Sequence, residues 1–235
     1  MGKSSHHKTA NVFRFQSFAE RIANVNIDVI HKIRHREETP EEDETYFGIA
    51  LEKWSDLNYT EHFTNFRREI TEQVQTYKQL VHHEDEIVSA LQRHLRVPES
   101  LALTPLLDLV VQLARDLQKD FYCHFQDFFE LQISLLSNYS QDAELLEKLF
   151  TCLSYLFKFL WRYLVKDVEG VFRFFSTLLS KKYKEYIRNF AAESFAFLMR
   201  KVSINTGTRW FSSIQHMFFH KWKDLRWRGS LWPRG

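Results

Sequence analysis

Glycine and proline are scarce in this sequence. The 235-residue chain has 6 glycines and 4 prolines, about 4% together, where average usage gives roughly 12%. Between Ile49 and Thr206 the only glycine is Gly170. That shortage excludes glycine-rich phosphate loops, dinucleotide-binding fingerprints and all-β folds built on many tight turns. Two cysteines, Cys123 and Cys152, cannot form a disulfide framework, which fits a reducing compartment. The N-terminus, MGKSSHHKTANVF, lacks the apolar core of a signal peptide. No run approaches the roughly 18 uninterrupted apolar residues of a membrane span. The most apolar stretch, Leu145 to Val165, is broken by Glu147, Lys148, Lys158 and Arg162. The expectation is a soluble protein of cytosol or nucleus. Charge of one sign is also missing: 32 basic against 30 acidic residues leave a net +2, unlike a generally basic nucleic-acid binder.

What the chain has in abundance is phenylalanine, 22 residues in a 16% aromatic content. Apolar residues recur at three- and four-residue steps, the spacing of one helical face. The spacing predicts helices over Val12–Ile33, Thr45–Leu57, Thr60–Leu80, Glu84–Leu95, a start at Thr104-Pro105, Phe121–Leu136, Leu145–Leu164, Val168–Leu179 and Lys184–Val202. Thr60 is a candidate N-cap. Thr104 followed by Pro105 reads as a cap and first helical position. Leu145–Leu164 is apolar on more than one face, so neighbours must cover it on both sides. Glu37 to Glu44, EETPEEDE, reads as a solvated acidic linker. The expected fold is all-α: antiparallel helix pairs stacked as a HEAT-like α-solenoid fragment. Residues 1–11 are expected to be flexible and 12–203 to form the helical repeat region. Residues 204–235 read as a divergent, irregular, poorly ordered tail. That tail holds Trp210, Trp222, Trp227 and Trp232, with basic residues against the single acid Asp224.

Chemistry-bearing motifs are few. There is no G-x-S-x-G elbow and no cysteine in an electropositive setting, so no catalytic residue, cofactor or small-molecule substrate is assigned. His82-His83-Glu84-Asp85-Glu86 and Cys123-His124 concentrate metal-ligand types. Adjacent helical residues diverge by about 100°, however, and the H-E-x-x-H spacing is absent, so no metal is expected. Lys181, Lys182, Lys184 and Arg188 cluster beside Tyr183 and Tyr186. They read either as an RNA or partner contact, with phosphate pairing and base stacking, or as a solvated inter-helix turn. The segment YIRNFAAESF, Tyr186 to Phe195, is similar to the second helix of a HEAT repeat. There Ile187, Ala191, Ala192 and Phe195 would form the packing face, and Arg188 would pair with an acid from an adjacent turn.

Several long segments carry a more specific likeness. HKTANVFRFQSFAERIANVNIDVIHKI, ETYFGIALEKWSDLNYTEHFTNF, PLLDLVVQLARDLQKDFYCHF, LWRYLVKDV and YIRNFAAESFAFLMRKVS together resemble the N-terminal region of the small-subunit processome component of the DRIM (down-regulated in metastasis) family. The resemblance covers His7 to Ser203 in order. It implies a very long HEAT-like α-solenoid in the nucleus and nucleolus, a noncatalytic scaffold of the processome on precursor ribosomal RNA. The implied partners are processome proteins and the pre-rRNA/snoRNA particle, with no membrane. Past Ser203 the chain departs from the family, and the expectation is a truncated product prone to self-association. The other readings of the same helices are a general helical-repeat adaptor and an all-α enzyme.

Overall fold

A computed structural model describes residues 13–23, 25 and 44–205. Among the described residues there is no strand, and ten α-helices follow one another. They are α1 (Phe18–Ile22), α2 (Tyr46–Leu57), α3 (Glu61–Ile70), α4 (Tyr77–His82), α5 (Glu84–Leu95), α6 (Leu103–Leu117), α7 (Phe125–Asn138), α8 (Ala143–Leu164), α9 (Val168–Leu178) and α10 (Glu185–Asn205).

Side-chain caps set many of these starts. Thr45, Thr60, Asp142 and Asp167 each accept a hydrogen bond from a first-turn amide of the helix they precede, satisfying one otherwise unpaired donor. The one glycine of the long helical span is explained here. A Cβ on Gly170 would lie 2.1 Å from the Asp167 carboxylate, which occupies that space to cap α9.

The structure corrects four of the expected helices. The first begins at Phe18, not Val12, because Ser17 and Glu20 form a capping box there; Asn24 and 26–33 lie outside the described residues. The expected helix over Thr60–Leu80 is broken. After α3 a 3₁₀ turn spans Thr71–Gln73, and Thr76 forms a new capping box with Gln79 to start α4. Thr104 is not a cap. The chain has already turned at Ser100, whose hydroxyl accepts from Ala102 N–H and whose carbonyl accepts from Leu103 N–H. Pro105 therefore sits in the first turn of α6, where its missing N–H is harmless. Phe121–His124 is 3₁₀ before α7 continues. At the far end α10 runs through Asn205, past the expected helix end at Val202. Positions 1–11, most of the acidic linker and 206–235 lie outside the described residues.

Consecutive helices pair, α5 with α6, α7 with α8 and α9 with α10, and the second members stack on each other. The row α2–α6–α8–α10 is the spine of the fold. This arrangement is the expected solenoid-like stack. α8 lies between α6 and α10, with α7 and α1 also against it, which is why it is apolar nearly all round. Phenylalanine fills these seams. The Phe157 ring on α8 lies 5.0 Å from Phe175, 5.9 Å from Phe125, 6.1 Å from Phe129 and 6.4 Å from Phe18. One side chain thus joins α1, α7, α8 and α9.

Candidate interaction surface

The basic cluster sits on the turn between α9 and α10. Lys181 and Lys182 are exposed, and the Lys182 ammonium lies 4.8 Å from the centre of the Tyr183 ring. Lys184 is engaged: its ammonium donates to the Ser140 carbonyl at 3.1 Å and to Gln141 Oε1 at 3.2 Å. That ties the α9–α10 turn to the α7–α8 turn. Tyr186 is engaged too. Its hydroxyl donates to the Ser140 carbonyl at 3.0 Å, and its ring stacks on Phe15 at 4.6 Å. A base could not take that face without displacing Phe15. Arg188 is half-buried, and its Nε has no hydrogen-bond partner among the described residues. The surface therefore offers a point of positive charge at Lys181 and Lys182, with Tyr183 beside it.

Ile187, Ala191, Ala192 and Phe195 are buried. Phe195 lies 5.3 Å from Phe172 and 5.7 Å from Phe175 of α9, so this face packs within the helix pair. The acid–arginine tie expected at Arg188 occurs elsewhere. Arg21 of α1 donates through Nε and Nη2 to both carboxylate oxygens of Glu147 on α8, at 2.8 and 2.9 Å. The guanidinium lies 5.2 Å from the Phe150 ring and 5.6 Å from the Phe190 ring. Glu193 of α10 accepts from the Phe18 N–H at 2.7 Å. Two carboxylates from two spine helices thus hold α1. Nothing in local spacing marked Arg21 or Glu193; the signal available was a charge on each otherwise apolar helix.

A cleft of about 280 Å³ opens beside this clasp, lined by Arg14, Phe15, Tyr186 and Glu193 among others. Its inner charges are those already paired in the clasp. A second convergence is chemically different: Glu84, Cys123 and His124 lie together, whereas His82 and His83 are not part of it. Burial, then the neighbouring Glu84 carboxylate, push the Cys123 thiol above its ordinary value. Cys152 is buried in α8, and desolvation pushes its thiol up strongly, as for an inert core cysteine.

No family model matches the chain. Two known proteins do. Over 203 residues, 86% of this chain, it is 34% identical to a protein of Schizosaccharomyces pombe, and over 200 residues, 84% of this chain, it is 31% identical to one of Saccharomyces cerevisiae. The chain is similar to U3 small nucleolar RNA-associated protein 20. Both relatives carry that name, and the chain spans 8% of the length of each. The similarity to U3 small nucleolar RNA-associated protein 20 agrees with the processome side of the resemblance read from the sequence. Among the described residues, no helix is long and apolar enough to cross a membrane.

Proposed function

We propose that this chain is a noncatalytic scaffold segment of the small-subunit processome, of the DRIM family, that supports precursor rRNA processing and small-subunit assembly in the nucleolus. The observation that carries this reading is the 34% identity over 86% of the chain with U3 small nucleolar RNA-associated protein 20. The stacked helix pairs support it, because such a stack presents extended surface while each repeat is held by its neighbours. The charges of the α1 clasp serve internal ties, as a structural element requires. Partners are processome proteins and the pre-rRNA/snoRNA particle, and Lys181 and Lys182 are the point of direct RNA contact.

Affinity purification of the full chain from nuclear extract tests the reading. Processome proteins, U3 RNA and precursor rRNA should be recovered, and tagged protein should concentrate in nucleoli. Recovery of protein partners alone, unchanged by RNase and without ribosomal precursors, would favour a general adaptor instead. For the RNA contact, reversing charge at Lys181 and Lys182 should weaken binding to precursor rRNA and flatten its salt dependence. Unaltered affinity in that variant removes direct contact from the proposal.

A further inference from the structure

The first turn of α5 meets the 3₁₀ turn Phe121–His124 from a distance of 40 residues along the chain. His124 Nε2 lies 2.8 Å from Glu84 Oε1 and 3.7 Å from Asp85 Oδ1. Cys123 Sγ completes the group, and the donor atoms of Glu84, Cys123 and His124 all lie within 4.8 Å of one another. A thiol, an imidazole and a carboxylate on one point are the donor set zinc takes. Each group also has a partner of its own, His124 with Glu84 and the Cys123 thiol donating to the Asp120 carbonyl at 2.9 Å, but neither bond accounts for all three donors meeting at one point.

We infer that Glu84, Cys123 and His124 form a zinc site that pins α5 to the turn after α6, with Asp85 able to close the coordination. The fit is geometric. Ligands about 2.0–2.3 Å from a tetrahedral ion lie about 3.3–3.8 Å from each other. The widest separation therefore needs to contract by about 1 Å, while His124 Nε2 and Glu84 Oε1, 2.8 Å apart, must part by about 0.5–1 Å. The larger movement falls on the groups with room for it. Cys123 is exposed and the Asp85 side chain is 92% exposed, while Glu84 and His124 are about 16% and 15% exposed and hold the site's inner edge. Cys123 and His124 are neighbours on the 3₁₀ turn, and their donor atoms fall within the same 4.8 Å group as that of Glu84. The ligand from α5 makes the site possible. Electrostatics point the same way. Glu84, Asp85 and Asp120 surround the thiol with negative charge, a field that resists a lone thiolate and welcomes a divalent cation. Once bound, the cation deprotonates the thiol, and the proton passes to solvent.

The readout is specific because the chain has only two cysteines and the other, Cys152, is buried. The full chain, reduced and metal-free, is titrated with Co²⁺ alone. The expected result is a near-ultraviolet thiolate-to-cobalt band that saturates at one equivalent and is bleached by Zn²⁺. Zinc should also shield Cys123 from alkylation. Cys123→Ser should abolish the band, and since the residue is exposed, the variant should keep the parent's circular dichroism. Glu84→Gln, which retains the side-chain volume, should weaken binding by about tenfold or more. Cobalt uptake without a thiolate band, a band that persists in Cys123→Ser, or no uptake at micromolar metal would each overturn the site.

Discussion

Arg21 and Glu147 form a two-pronged ion pair across 126 residues of sequence, with the arginine side chain only 2% exposed. The pair is what a five-residue helix needs in order to persist. α1 is too short to be stable alone, so its place against α8 and α10 depends on this clasp and on Phe18. Glu147→Ala should cost about 3–5 kcal/mol, because it strands a buried guanidinium between Phe150 and Phe190. Arg21→Met should cost less, since it keeps the packing and leaves Glu147 at an edge water can reach. Urea unfolding, with hydrogen exchange at the Phe18 and Arg21 amides, measures both. Equal losses in the two variants would show that burial of the charge is not the deciding factor.

Glu20 gives α1 a pH dependence with a definite sign. The Ser17 N–H donates to Glu20 Oε2 at 2.6 Å. With the Ser17 hydroxyl and then the Arg14 and Arg21 charges, that bond holds the Glu20 carboxyl below its ordinary value. A lowered folded-state pKa means the contribution is present above the unfolded-state value and lost as pH falls through the folded-state one. An NMR titration should place the Glu20 midpoint below the ordinary glutamate value. Ser17→Ala should raise it only in part, because the larger contribution comes from the backbone N–H. A complete return would reverse that ranking.

Gln132 on α7 is fully buried, and among the described residues its amide has only the Cys152 thiol, a weak hydrogen-bonding group, beside it. Desolvating an amide so weakly paired is costly. Gln132→Leu should therefore stabilise the protein by about 1–2 kcal/mol, read as a higher urea midpoint at unchanged slope. A loss of stability would mean that the amide is satisfied in solution, by water for example.

Glu99 is exposed and adopts φ 52°, a left-handed conformation that side chains other than glycine adopt at a cost of about 1 kcal/mol. Glu99→Gly should raise stability by about 0.5 kcal/mol after the extra freedom glycine gives the unfolded chain. Glu99→Val should lower it by about 1–2 kcal/mol. The bond from the Glu99 N–H to the Tyr139 hydroxyl is kept in both, so opposite signs isolate the backbone. Thermal melts of the two variants decide it.

Residues with local patterns were readable from the sequence. α5 is bounded as its apolar period and end charges indicate, and α8 carries its own Asp142 cap. The break after Ile70 was hidden because Val74 and Tyr77 continue the apolar stripe across it; the readable sign was Thr76 followed by Gln79, a capping box. Contacts between distant elements were not legible. Arg21 with Glu147, and Glu84 with Cys123 and His124, depend on which helices stack, and helical period alone does not specify that. The basic cluster was visible as charge. Which of its members were already committed, Lys184 to Ser140 and Tyr186 to Phe15, was not.

The bond from Phe18 to Glu193 spans 175 residues, and it imposes an order of events during synthesis. α1 is made first among the described helices, yet half of its clasp lies on α10, the last. At about 5–20 residues per second, some 9–35 s separate the two. Until α8 is made the apolar side of α1 has no groove to enter, and until α10 is made the seam between α1 and α8 stays open on one side. The first helix to be made therefore completes its contacts only when the last has arrived.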